Sequence, residues 1–255
     1  MVFSCPITAG VTAGTGFSCD MMNESQTASV HGVPGERARA TGVMRAVWPL
    51  LTAIFLCGMF LGAALPRIVP GVAGAGFLLA ALTLVWAVRD GLRGIEGYFK
   101  GARGEEAVAA LLASLPFGYH VFHDVACGQA GGIDHVAVGP KGLFVIETKC
   151  WAGQVVLEGG ELLVNGKRPN RSPIAQVRAS AHALSLFLEE KLEDVPTCCP
   201  LVCFASNTLV PDTVKQDDTW ICNSSVLLSL ISGYPGRLSP DDIERIVKVL
   251  ERKAS

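Results

Sequence analysis

The chain is short of most features that would place it in a class at once. Charged residues make up 17% of its 255 positions and the formal net charge is only −2, so the overall balance selects neither a nucleic acid nor an anionic surface as partner. Nine cysteines are present, but they include no C-x-x-C pair and no Cys/His ladder at zinc spacing, which argues against a structural zinc site. Cys198, Cys199 and Cys203 lead into the apolar run Leu201–Phe204, where thiols behave as small hydrophobes. An odd, unpatterned set fits a reducing compartment better than an oxidising one. Residues 1–44 are rich in Gly, Ser, Thr and Ala, with no hydrophobic period, and are expected to be a disordered tail. They also lack the continuous apolar core of a signal peptide. Met44-Arg45, directly before the first hydrophobic run, would make a natural start, leaving residues 1–43 as a product of the gene boundary.

What the chain does have is apolar residues, half of the total, concentrated between Ala46 and Val88. Two uncharged runs, 46–65 and 68–88, are separated by Pro66-Arg67. Each is long enough to cross a hydrocarbon core of roughly 30 Å, so the expectation is a transmembrane hairpin over residues 45–90. Arg37, Arg39 and Arg45 precede it and Arg89, Arg93, Lys100 and Arg103 follow, with Arg67 alone in the turn. That bias places both termini in the cytoplasm and the chain in the cell (inner) membrane. Gly58 and Gly62 form a small-x-x-x-small face, and Gly71 and Ala75 a second. Packing of the two spans on each other is the simpler use of these faces, and a homodimer is the alternative. Neither run contains an ionisable residue, which disfavours a transporter or channel.

After a linker at 91–100, the pattern changes to that of a globular domain. Val108, Leu111, Leu112 and Leu115 mark one face of a helix. Strands are expected at 119–125, 133–138 and 143–149, the last two joined by the turn Gly139-Pro140-Lys141-Gly142. A hairpin follows, with strands 154–158 and 161–164 closed by Gly159-Gly160. Pro173 opens a helix. Leu201–Phe204 and Trp220–Cys222 are apolar enough for buried strands. Ser239-Pro240-Asp241-Asp242 caps a last helix over 243–252. Helix, strands, helix and strand make an α/β layer arrangement, and residues 207–255 are expected to complete it.

Three residues in this region carry the chemistry. Asp134 lies in one strand; Glu147 and Lys149 lie in the next, on one face by period-2 alternation. The tight turn lets Asp134 approach Glu147. Two adjacent carboxylates raise each other's pKa unless a cation lies between them, and Mg²⁺ takes one or two carboxylates plus waters and substrate phosphate. A nearby lysine can orient water and stabilise developing charge. These are the needs of metal-assisted phosphodiester hydrolysis. The spacing D-x(12)-E-x-K is weak by itself, and a pair of solvated strand residues would produce it too. The flanking Val136, Val138, Leu143, Phe144, Val145 and Ile146 make both strands look buried, and buried charges require partners or a function. His135 alternates to the face opposite Asp134 and is expected to pack or hydrogen-bond there. His120, His123 and His182 have no ligand spacing. From Gly101 onward, 14 lysines and arginines face 18 aspartates and glutamates, an acidic balance for a domain that would bind nucleic acid. Lys167-Arg168-Pro169-Asn170-Arg171 is a local basic run, either a footprint for phosphates or a solvated loop.

The stretches Gly101–Val108, Gly132–Lys149, Gly153 and Pro173–Gln176 together resemble the nuclease-related domain (NERD) family over residues 101–206. The block Ile133-Asp134-His135-Val136 through Glu147-Thr148-Lys149 is the specific part. This resemblance implies a restriction-endonuclease-like mixed sheet of the PD-(D/E)xK type, flanked by helices. It implies that Asp134 and Glu147 bind metal, that Lys149 is the catalytic lysine and that Glu105 completes the metal shell, directly or through water. Thr148 is assigned to the same metal shell, and Gln176 lines the site. Ile133 stands where the motif's proline would be, as is usual for the family. The cofactor implied is Mg²⁺ or Mn²⁺ and the partner a nucleic acid, with DNA the expected substrate. The rival expectation is a catalytically silent module that uses the same fold to bind nucleic acid or protein.

Overall fold

The computed structural model describes residues 27–64, 70–127 and 132–254. Ten strands and five helices follow in chain order: β1 (Ser29–His31), α1 (Glu36–Ala64), α2 (Pro70–Ala113), β2 (His120–Ala126), β3 (Gly132–Gly139), β4 (Gly142–Lys149), β5 (Val155–Glu158), β6 (Glu161–Val164), α3 (Pro173–Glu189), β7 (Cys198–Phe204), β8 (Leu209–Val210), β9 (Thr213–Gln216), β10 (Thr219–Asn223), α4 (Ser224–Gly233) and α5 (Pro240–Ala254). Seven strands form a mixed sheet in the order β1-β2-β3-β4-β7-β10-β9, and β6-β5-β8 form a small second sheet.

The sheet's middle follows from two features of the chain. Gly142 has φ +147° and pairs with Gly139 to reverse β3 into β4, making β2, β3 and β4 an antiparallel meander. Next comes a crossover through α3, which returns β7 parallel to β4, as helical crossovers do. Helices then cover both faces, so the central strands are apolar along their whole length. On one face Val136, Val145 and Val202 pack with Leu184 and Leu188 of α3 and Ile246 and Leu250 of α5. On the other, Ala137, Phe144, Ile146 and Leu201 pack with Val108 and Leu112 of α2 and Leu227 and Ile231 of α4. Truncating any of the leucines, the isoleucines or Phe144 among these buried side chains to alanine costs about 2–5 kcal/mol.

The N-terminal region departs from the sequence expectation in three ways. First, the transmembrane hairpin is not supported: among the described residues, no helix is long and apolar enough to cross a membrane. The two uncharged runs are parts of longer helices of mixed character. α1 begins ten residues before Ala46 and includes Glu36, Arg37, Arg39 and Arg45. α2 passes through the expected linker at 91–100 without a break and ends inside the globular domain. The helix continues through Arg89–Lys100 despite Gly91, Gly94 and Gly97, each of which weakens a helix by about 1 kcal/mol. Second, of the expected small-residue faces only Gly58 can be followed, the side-chain surroundings of Gly62, Gly71 and Ala75 lying outside the described residues. A Cβ added at Gly58 would touch nothing, whereas one at Gly42 would lie 2.8 Å from the Tyr98 Cβ. Third, residues 27–44 are ordered: β1 pairs in parallel with β2, and α1 starts at Glu36. The expected disorder of residues 1–26, and the turn at Pro66-Arg67, lie outside the described residues.

The feature that positions the site is where α2 crosses the sheet. At Gly104 an added Cβ would lie 2.7 Å from the Cβ of Cys150 and 3.5 Å from that of Ala205. These two residues directly follow β4 and β7, so only glycine lets the helix touch the carboxyl ends of both strands. Gly104→Val is predicted to cost about 1–3 kcal/mol by overpacking. Urea denaturation should show a lower midpoint, with part of the loss recovered by Cys150→Gly in the same chain.

Candidate active site

The site lies at the carboxyl end of β4, where the β3–β4 ladder stops. The last paired residues are His135 and Ile146; one step further the strands set Asp134 opposite Glu147. There the main-chain N–H of Thr148 donates to Asp134 Oδ2 at 2.7 Å, so a carboxylate takes over from the backbone ladder. Glu147 is buried, with 3% of its surface exposed. Lys149 lies on the same face, and its Nζ donates to Glu147 Oε1 and to Gln176 Oε1 at 3.2 Å. Gln176 is on the first turn of α3, a helix started by Pro173 and capped by Ser172, whose hydroxyl accepts from the Ala175 N–H at 3.3 Å. Glu105 comes from the other layer, one residue after the Gly104 contact. The two helical layers thus meet at the carboxyl end of the central strand β4.

The electrostatics record this convergence. Burial, followed by the nearby Asp124 and Glu147 carboxylates, raises the Glu105 pKa to about 7, against a smaller lowering by Lys149 and by a hydrogen bond from the Gly35 backbone. Burial and then Glu147 and Glu105 hold Asp134 well above the ordinary carboxylate range, partly offset by the Thr148 N–H and Lys149. Burial also raises Glu147, and Lys149 opposes it. One ammonium is set against several carboxylates, and the group is short of positive charge.

A divalent cation fits that donor chemistry, because Mg²⁺ needs only one or two carboxylates with waters filling the remaining positions. Asp134 and Glu147 are the pair that would hold it. No group of three His, Cys, Asp or Glu side chains that could hold a metal ion occurs among the described residues. Thr148 meets the acids through its main chain, whose N–H donates to Asp134. Its side chain alternates away from Glu147 and Lys149 toward the opposite core, and its Oγ1 is buried there without a hydrogen-bond partner. Only its main chain faces the acids.

Two further features were not legible in the motif. Asp124, in β2, adopts φ +53°, a conformation that aspartate tolerates better than most residues, and its charge acts on Glu105. An aspartate interrupting the apolar alternation of Phe122 and Val125 was the available signal. Beside it, His123 and His135 form a buried cross-strand pair with their Nδ1 atoms 2.7 Å apart. Burial lowers His123 to about 4 and His135 to about 3, so both rings are neutral near pH 7, one donating and the other accepting. His135 is therefore a packed core residue on the far side of β3 from Asp134.

The raised carboxyl pKa values have a consequence for stability. In the folded chain Glu105 keeps a proton up to about pH 7 that the unfolded chain releases near 4.5. The resulting stabilisation is fully present below about 4.5 and is lost as the pH rises through about 7. Without divalent cation, the melting temperature is predicted to fall between pH 5 and pH 8. Glu105→Gln should flatten that fall and millimolar Mg²⁺ should reverse it, both measurable by calorimetry.

Comparison with known proteins adds independent support. Over 62 residues the chain is 37% identical to an uncharacterized protein of Bacillus anthracis, a match covering 22% of this chain and 29% of that protein's length. No solved structure matches it significantly. Residues 100–205 match the nuclease-related domain family, with which the PD-(D/E)xK arrangement of Asp134, Glu147 and Lys149 is consistent. That family suggests a nuclease-related function, dependence on a divalent metal and binding to nucleic acid. The match runs over residues 100–205, from the end of α2 through β7, and leaves β8–β10, α4 and α5 outside it.

Proposed function

We propose that the chain is a divalent-metal-dependent nuclease that hydrolyses phosphodiester bonds in DNA. The observation that carries this reading is the buried Glu147 carboxylate beside the half-buried Asp134 carboxylate, with the Lys149 ammonium bonded to Glu147. Such a cluster is costly to a fold unless a cation or a function repays it.

Asp134 and Glu147 would hold Mg²⁺ or Mn²⁺, with Glu105 reaching it through water. When bound, the ion supplies Lewis-acid polarisation of the phosphate and a more acidic water. Lys149 is held at a fixed point by Glu147 and Gln176, so its charge is already oriented when substrate arrives. A preorganised cation of this kind stabilises charge that develops in the transition state more than charge present in the ground state. Gln176 contributes an amide whose Oε1 is occupied by Lys149, leaving its N–H₂ to meet a phosphate oxygen or the attacking water. For the nucleic-acid backbone, Arg178 is unsuited, since Asp217 and Asp218 neutralise it at 3.1 and 3.0 Å. Lys167 and Arg171, exposed just before α3, are the better placed bases.

The rival reading, a silent fold used for binding, is favoured by one observation, the lack of a three-residue metal cage among the described residues. Plasmid cleavage by the full chain in Mg²⁺ or Mn²⁺ decides between them. Activity should disappear on chelation and fall about 100-fold or more in Lys149→Ala and in Asp134→Ala. Activity that survives both substitutions would sink the assignment of these residues.

A further inference from the structure

The first turn of α3 is held from two sides. Gln176 and Arg178 are two residues apart, about 200° around the helix axis at 3.6 residues per turn, so they leave the helix in nearly opposite directions. Between them Val177 is fully buried and packs into the core with Ile174, Ala181 and Leu184. Apolar packing has no direction of its own. It leaves the roll of the helix about its axis to be set by the polar groups on either flank. On one flank Gln176 Oε1 accepts from Lys149 Nζ at 3.2 Å. An ammonium on a long flexible stem is a weak fixture for a helix.

The other flank is tied more firmly. β9 and β10 close at Gln216 and Thr219, leaving Asp217 and Asp218 as the turn, with Asp217 at φ +53°. Arg178 Nε donates to Asp218 Oδ1 at 3.0 Å and to Thr219 Oγ1 at 2.8 Å. Its Nη2 donates to the Gln216 carbonyl oxygen at 2.9 Å and to Asp217 Oδ2 at 3.1 Å. Thr219 is fully buried, and its hydroxyl donates in turn to Asp218 Oδ1 at 3.0 Å. Gln216 extends the network, its Nε2 donating to the Gly160 carbonyl oxygen at 2.8 Å, in the turn between β5 and β6. A planar guanidinium with donors in a fixed fork suits such a set of acceptors. One side chain thus joins α3 to two hairpin turns. The acceptors at residues 216–219 all lie beyond the stretch 100–205 that matches the family.

We infer that Arg178 is a positioning residue of the active site: clamped on the β9–β10 turn, it sets the roll of α3 and so holds Gln176 where it meets Lys149. The inference rests on the nuclease reading of Asp134, Glu147 and Lys149. It gives a use to Asp217 and Asp218, exposed acids that as surface ion pairs alone would add little to stability. It also makes the segment after the family match a working part of the site.

Steady-state cleavage of plasmid by the full chain in Mn²⁺ tests it. Arg178→Met keeps an unbranched stem and removes the fork. It should lower kcat about tenfold and leave KM within about twofold, the scale of a small displacement of a preorganised group. In a Gln176→Ala background the same substitution should change kcat less than about twofold, because its route to Lys149 is gone. Arg178→Lys, which restores the charge without the fork, should recover only part of the loss. If Arg178→Met does not fold, Asp217→Asn with Asp218→Asn weakens the clamp from the exposed turn and should lower kcat about threefold. Equal losses in both backgrounds, as a merely structural role would give, would overturn this inference and leave the nuclease reading standing. So would an unchanged kcat, or a change confined to KM. A wild-type chain that cleaves no DNA would overturn both.

Discussion

Repulsion among carboxylates at one end of β4 is the constraint around which the rest of the site is organised. Asp134 and Glu147 are fixed by the register of two paired strands and cannot separate without breaking that ladder. Lys149 relieves part of the repulsion, and its two hydrogen bonds, to Glu147 and Gln176, leave it little freedom. What remains is a buried excess of negative charge that raises the proton affinity of Glu105 and Asp134. A folded chain can tolerate this in two ways, by protonation or by binding a cation. Near pH 7 the second is the one with chemical use.

The geometry assembles from both faces of the sheet. Glycine at position 104 lets α2 lie across the ends of β4 and β7, and Glu105 follows from that contact. From the opposite layer, the capped first turn of α3 delivers Gln176. A site built at the ends of central strands, with its parts on regular elements, holds its geometry better than one carried by loops. The segment before α1 adds a third contact, since it pairs with β2 and packs against α2 at Ala102.

Much of this was legible in the amino-acid sequence because it depends on local rules. Alternation alone puts Glu147 and Lys149 on one face, and the Gly139–Gly142 turn alone brings Asp134 beside them. Pro173 and Ser172 announce α3. The parts that escaped depend on distant contacts. β1 is three residues long and owes its existence to the exposed edge of β2. Asp124 acts through a backbone distortion that no spacing rule reports. The motif names Thr148 without saying which of its atoms faces the acids; in the fold its main chain does, its N–H donating to Asp134. The apolar runs at 46–65 and 68–88 suggested two isolated spans, whereas the helices containing them extend into charged sequence and, for α2, into the domain itself. Hydropathy counts a run's length but not what its helix is continuous with.

The most direct test of the account is a Mn²⁺-soaked crystal of the full chain, with the metal located by anomalous scattering. The account predicts a peak between Asp134 and Glu147, roughly 2 Å from a carboxylate oxygen of each, with Lys149 still bonded to Gln176. No peak there, or a peak only at the exposed acids of α5, would contradict it.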